Sequence, residues 1–159
     1  MARTLHSTEI GEVYHATTRT VQQAFHLVAD ADKLRVVEAL RFYHQRGDFR
    51  LYAYVIMNNH LHIVLQPMQD STLSEIMRDF KKWTSRHNRP KGDADALWER
   101  RYDDNQIASQ TELRRIIEYI HQNPVRAGLV NKAEDYFWSS ARNYAGIAPV
   151  ALEVDTEWG

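Results

Sequence analysis

The order of apolar segments predicts an α+β fold, a mostly antiparallel sheet with helices packed on it, close to the ferredoxin-like pattern. Two strand-like runs, "FRLYAYVIM" and "HLHIVLQP", are separated only by Asn58 and Asn59, which predicts a central hairpin. Helical spacings flank it, over 30–47 and 72–88. A strand-like segment lies outside each helix, so the predicted order is β-α-β-β-α-β-α.

Each element has its own local reason. "EVYHATTRTV" is rich in β-branched residues and reads as the first strand. "DADKLRVVEALRFYHQRG" places Leu34, Val37, Ala39 and Leu40 at helical spacing, and Gly47 is its stop. Asparagine tolerates left-handed geometry, which suits Asn58-Asn59 to a tight turn, and Pro67 ends the second hairpin strand. Thr72 and Glu75 form a capping box that opens a helix to about Asn88, with Leu73, Ile76, Met77 and Phe80 as its core stripe. "NRPKGDADA" reads as a loop, and a strand is expected from near Tyr102. Ser109 and Glu112 predict a second capping box before "ELRRIIEYIHQN", which Pro124 should terminate. "YFWSSARNYAG" reads as a short helix with an aromatic patch.

A chain of 159 residues with 43% hydrophobic content fits one globular domain over 1–159, with a core of about 13–146 and an acidic tail, 147–159. No apolar run is long enough to span a membrane, and the opening "MARTLHSTEIGEVYH" is too polar for a signal peptide. Cysteine is absent, which excludes disulfides and thiolate ligands and agrees with a cytoplasmic location. A metal site must therefore use His, carboxylate or amide oxygen. Net charge is −1, but the charge is unevenly spread. "RDFKKWTSRHNRPK" carries six Lys or Arg against the single acid Asp79, whereas "LEVDTEWG" carries three acids and no base. A neutral sum can thus conceal a basic face.

Two stretches carry chemistry. His60 and His62 flank Leu61 in an apolar strand, so both imidazoles fall on one face, their Cα atoms roughly 6–7 Å apart. The pair could hold a divalent metal, or simply line a half-exposed sheet face; a site needs a third ligand, which spacing cannot locate. In "RRIIEYIHQNPVRAGLV", Ile116, Ile117 and Ile120 supply the apolar side of a helix. Tyr119 and Asn123 lie four apart on one face, and His121 points elsewhere. Packing is the ordinary role of a helical tyrosine, and Asn before Pro is an ordinary helix end.

Together, "VIMNNHLHIVLQP", "FKKWTSRHNR", "LWERRYDDNQI", "RRIIEYIHQNPVRAGLV" and "WSSARNYAG" resemble the signature blocks of the REP-associated tyrosine transposases. These belong to the HUH single-tyrosine transposases of small bacterial insertion sequences. The resemblance runs from about Val13 to Gly146 with the blocks in order; Asn58 stands where the family usually carries Pro. It implies that His60, His62 and Asn123 hold Mg²⁺ or Mn²⁺. It further implies that Tyr119 attacks a phosphodiester of single-stranded or hairpin DNA, leaving a 5′-phosphotyrosine and a free 3′-OH. A free tyrosine has a pKa near 10, so metal that stabilises phenolate suits this chemistry. Energy kept in the phosphotyrosine lets a 3′-OH reverse the step, which is strand transfer.

On the basic helix, Arg78, Lys81, Lys82, Arg86 and Arg89 with Trp83 offer phosphate contacts and a stacking surface, although a solvated helix face has the same pattern. Arg100, Arg101 and Arg126 are an alternative DNA path, and Trp98 and Trp138 are expected in the core. Two other readings stay open: a domesticated hairpin-binding protein that no longer cleaves, and an unrelated metal-dependent phosphoesterase. Related insertion-sequence enzymes form a homodimer in which one subunit's tyrosine helix serves the other's metal site.

Overall fold

The structure, a computed structural model, describes residues 12–88 and 97–158. Its strands are β1 (Tyr14–Arg19), β2 (Phe49–Ile56), β3 (His60–Pro67) and β4 (Asp103–Gln106). Its helices are α1 (Asp30–Arg46), α2 (Leu73–His87), α3 (Gln110–His121), α4 (Asn123–Arg126) and α5 (Ala141–Ala145). The sheet order is β2-β3-β1-β4 with every pairing antiparallel, the ferredoxin-like arrangement expected from the sequence.

Alternation along the strands gives the sheet two apolar faces. On one, Leu51, Tyr54, Ile56, Leu61, Ile63 and Leu65 meet Val36, Val37 and Leu40 of α1 and Leu73, Ile76, Met77 and Phe80 of α2. Each such fully buried side chain contributes roughly 1.5–3 kcal/mol. On the other, Val55, Met57 and Val64 meet Leu113, Ile117 and Ile120 of α3. His60 and His62 share this second face, because Leu61 between them belongs to the first.

Several boundaries follow the local signals. Gly47 stops α1 at φ 91°, a left-handed conformation that glycine adopts at no steric cost. Thr72 Oγ1 accepts from the Glu75 amide and Glu75 Oε1 from the Thr72 amide, completing the box.

Other readings need correction. Leu34 is exposed, and Val36 and Tyr43 take up the inward face of α1 with Val37 and Leu40. Ser109 caps the Glu112 amide, but Glu112 Oε1 accepts from the Ala108 amide, so the second box is not reciprocal. Pro124 does not end the helical path; it sits in the first turn of α4, where its missing N–H costs nothing. Asn58 and Asn59 turn the hairpin without left-handed backbone and act through their side chains. The final helix is confined to Ala141–Ala145, while residues 138–140 lie beside β2 through an isolated antiparallel bridge between Val55 and Ser139: Ile56 N–H donates to Trp138 O at 2.9 Å and Ser140 N–H to Tyr54 O at 3.0 Å. Beyond it, Ala151 and Leu152 are buried, Asp155 N–H donates to Leu51 O, and Trp158 Nε1 donates to Tyr144 Oη. The acidic C-terminal stretch therefore meets β2 at Asp155 and packs against α3 and α5 at Trp158.

Candidate active site

Strand pairing assembles the site. In the β1–β3 register Thr17 lies opposite His62 and Arg19 opposite His60, so His15, Thr17 and Arg19 project beside the two histidines. α3 crosses the same face and brings Tyr119 to it, and α4, which follows directly, brings Asn123. The His60 and His62 rings stand 5.1 Å apart and perpendicular, and the Tyr119 ring is 6.4 Å from that of His62. Asn123 Nδ2 lies 3.2 Å from His60 Nε2. His60, His62, Tyr119 and Asn123, drawn from two distant stretches of sequence, thus meet in one place.

The hydrogen bonds set the chemistry of each imidazole. Asn59 Nδ2 donates to Gln23 O, which fixes its amide orientation and turns Oδ1 to His60 Nδ1 at 2.8 Å. His60 therefore carries its proton on Nδ1 and presents an Nε2 lone pair. His62 Nδ1 is held by Thr17 Oγ1 at 2.9 Å and His15 Nε2 at 3.0 Å, which leaves its Nε2 for a ligand. Burial pulls the pKa of His60 to about 4 and that of His62 to about 3, and burial also lowers His15. Secondary causes at His62 are the neighbouring histidines and the guanidinium groups of Arg19 and Arg126. All three rings are neutral at physiological pH, the form that ligates metal.

The donor set fits a divalent cation. Among the described residues no group of three or more His, Asp or Glu side chains is arranged to hold a metal, and the third ligand that the family resemblance implies is an amide. Asn123 is placed for it: a 180° rotation of its amide would set Oδ1 where Nδ2 now meets His60.

Around Tyr119 the site is open and cationic. Tyr119 is 54% exposed; the Arg126 guanidinium stacks 4.2 Å from its ring centroid and donates to its carbonyl. Arg19 is paired with Asp103 at 2.7 Å on the exposed rim. His121 points away, buried and 2.8 Å from Ser140 Oγ, as its helical phase requires. His15, Thr17 and Arg19 went unassigned in the sequence, although alternate positions of a strand were their legible signal.

The basic helix is elsewhere. α2 packs on the opposite face of the sheet, so Arg78, Lys82, Trp83 and Arg86 do not join the histidines. Lys81 is occupied internally, donating to the carbonyls of Glu99 and Arg100. Trp83 stacks on His87 at 3.8 Å, and Arg78 pairs with Asp79. Lys82 and Arg86 are exposed, and Arg89 lies outside the described residues. Trp98 is buried as expected, donating to Thr84 Oγ1, whereas Trp138 is only partly buried.

The sequence profile of the family described as "Transposase IS200 like" matches residues 11–123, the span that carries β1 to Asn123. This chain belongs to that family. A Haemophilus influenzae protein named as a REP-associated tyrosine transposase is 27% identical over 103 residues, and the match covers 58% of each chain. The chain thus spans little more than half the length of that relative. The fold matches a REP-associated tyrosine transposase solved bound to a REP hairpin, with a TM-score of 0.71 and 22% identity, covering 94% of this chain and 91% of that one. A Deinococcus radiodurans protein described as a transposase matches at TM-score 0.51 and 20% identity, over 69% of this chain and 88% of the other. Among the described residues no helix is long and apolar enough to cross a membrane.

Proposed function

We propose that this chain cleaves and rejoins single-stranded DNA at hairpins, with Tyr119 as nucleophile and His60, His62 and Asn123 as ligands of Mg²⁺ or Mn²⁺. The observation that carries the reading is the Tyr119 ring 6.4 Å from His62, beside a neutral His60 whose lone pair faces an amide. The hairpin-bound relative supports the substrate class. Cytoplasmic DNA is the expected target.

Tyr119 Oη forms a bond to the scissile phosphorus while the bond from phosphorus to O3′ breaks. The phenolic proton leaves to solvent, and the departing 3′ oxygen takes one up. The strand is left with its 5′ phosphate on Tyr119 and a free 3′-OH, and attack by a 3′-OH reverses the sequence. A divalent metal held at the imidazoles would neutralise charge growing on the phosphate and favour the phenolate. Arg126, stacked on Tyr119, and Arg19, opposite His60, supply fixed positive charge where the phosphate must lie. Tyr119 stands beside histidines of its own chain, which supports action without a partner's helix.

The test is a labelled hairpin oligonucleotide with Mn²⁺. Wild type should give a covalent protein–DNA adduct, and Tyr119→Phe should bind the hairpin yet give none. An adduct surviving in Tyr119→Phe would overturn the assignment. Salt-dependent binding with no adduct from wild type would favour a non-cleaving binder.

A further inference from the structure

A cavity lies beside the hairpin turn that leads into His60. Its volume is about 560 Å³, and Val28, Asn58, Leu129, Phe137 and Trp138 are among the residues that line it. That volume lies within the roughly 300–1,000 Å³ of small-ligand sites. Val28, Leu129 and Phe137 are 54%, 45% and 36% exposed, an apolar grouping that isolated surface residues do not produce. The Phe137 and Trp138 rings meet edge-to-face, 4.9 Å between centroids.

We propose that this cavity holds one unpaired base of the DNA strand engaged at Tyr119. The inference rests on the function proposed above and adds a base-binding subsite to it. Its two walls are continuations of the site. Asn58 precedes Asn59, which fixes His60, and the Leu129 amide donates to the carbonyl of Pro124, next to Asn123. A strand whose phosphate lies between His60 and Asn123 therefore passes the cavity mouth. The aromatic and aliphatic walls offer a stacking surface that accepts any base. The polar groups at its edge suit a base rim. Lys33 Nζ donates to Asn58 Oδ1 and Val28 O, which turns the Asn58 Nδ2 donor outward. Trp138 Nε1 donates to Asp30 Oδ1 and leaves Asp30 Oδ2 as an acceptor. One donor and one acceptor on an apolar floor match the hydrogen-bonding edge that every base carries.

The experiment is an abasic scan of the tightest-binding strand drawn from a mixed-sequence pool of hairpins with single-stranded flanks, so binding is read whether or not an adduct forms. One flanking position should lower wild-type affinity by about 5- to 100-fold when its base is removed. In Phe137→Ala and Leu129→Ala, both truncations of exposed side chains, that same removal should cost less than about twofold. An even profile along the flanks, or an unchanged penalty in both variants, would overturn the proposal. So would a fall in oligomeric state in either variant with the abasic profile intact, since the patch would then join two copies of the chain. Failure of the catalytic reading looks different: no strand would form an adduct, whatever the abasic profile.

Discussion

Removing both hydrogen-bond partners of His62 should weaken metal binding far more than removing either one. Thr17 Oγ1 at 2.9 Å and His15 Nε2 at 3.0 Å compete for the same Nδ1. Thr17→Val keeps the shape of a side chain only 6% exposed, and His15→Phe keeps a ring. A neutral hydrogen bond contributes about 0.5–1.5 kcal/mol net, so losing one while the other takes its place should raise the Mn²⁺ dissociation constant by about 2- to 10-fold. With both gone the imidazole can turn and exchange tautomers, and the loss of such supporting bonds typically costs about 10- to 100-fold in affinity. The measurement is a titration of free Mn²⁺ by electron paramagnetic resonance, without DNA, with His60→Ala as the ligand-loss control and thermal melting to verify folding. A folded double variant that binds Mn²⁺ within about twofold of wild type would refute the reasoning.

Other outcomes can be measured independently. Changing Lys82 and Arg86 together to Ala should lower the salt slope of hairpin binding by nearly two counterions, read by titration at several salt concentrations, with the adduct rate at saturating DNA unchanged. Burial lowers His121 to about 4, so its unfolded form, titrating near 6.5, binds the proton first. Its contribution is complete above pH 6.5 and is lost as pH falls toward 4, by about 1.4 kcal/mol per pH unit. Urea unfolding at pH 5 and 7 should show a smaller difference in His121→Gln than in wild type. Phe80→Ala should cost about 3–5 kcal/mol by urea unfolding, because Phe80, on the inward face of α2, is 1% exposed and packs against Trp98.

What was legible in the sequence was local. The Thr72–Glu75 box, the Gly47 stop and the His-x-His alternation each depend on residues within a few positions, and each appears where its spacing put it. The parts that were missed depend on long-range pairing. His15 and His62 are 47 residues apart, and only the β1–β3 register brings Thr17 opposite His62. Leu34 had helical spacing, but the face that α1 buries is chosen by α2 and the sheet. Lys81 illustrates the same limit: its charge was plain, yet its use as a donor to the Glu99 and Arg100 carbonyls depends on how 97–102 folds back on α2.

The two clusters of positive charge lie on different faces of the sheet. α2 and the histidine face occupy opposite sides of one sheet. Salt screens exposed charges over about 10 Å at 0.1 M, so Lys82 and Arg86, exposed on the other side, would contribute little to the potential at a phosphate beside Tyr119. Arg19 and Arg126 lie on the histidine side, where burial first, then the neighbouring histidines and these two guanidinium groups lower the pKa of His62. A hairpin that touches both clusters has to bend around the edge of the sheet, its stem against α2 and its single strand at the histidines. At the β4 edge it would meet the exposed carboxylates of Asp103 and Asp104, with Asp103 already tied to Arg19. Those acids would oppose a phosphate backbone laid along β4, so under the proposed function Arg126, stacked on the Tyr119 ring, would be the guide for the strand toward His60 and Asn123.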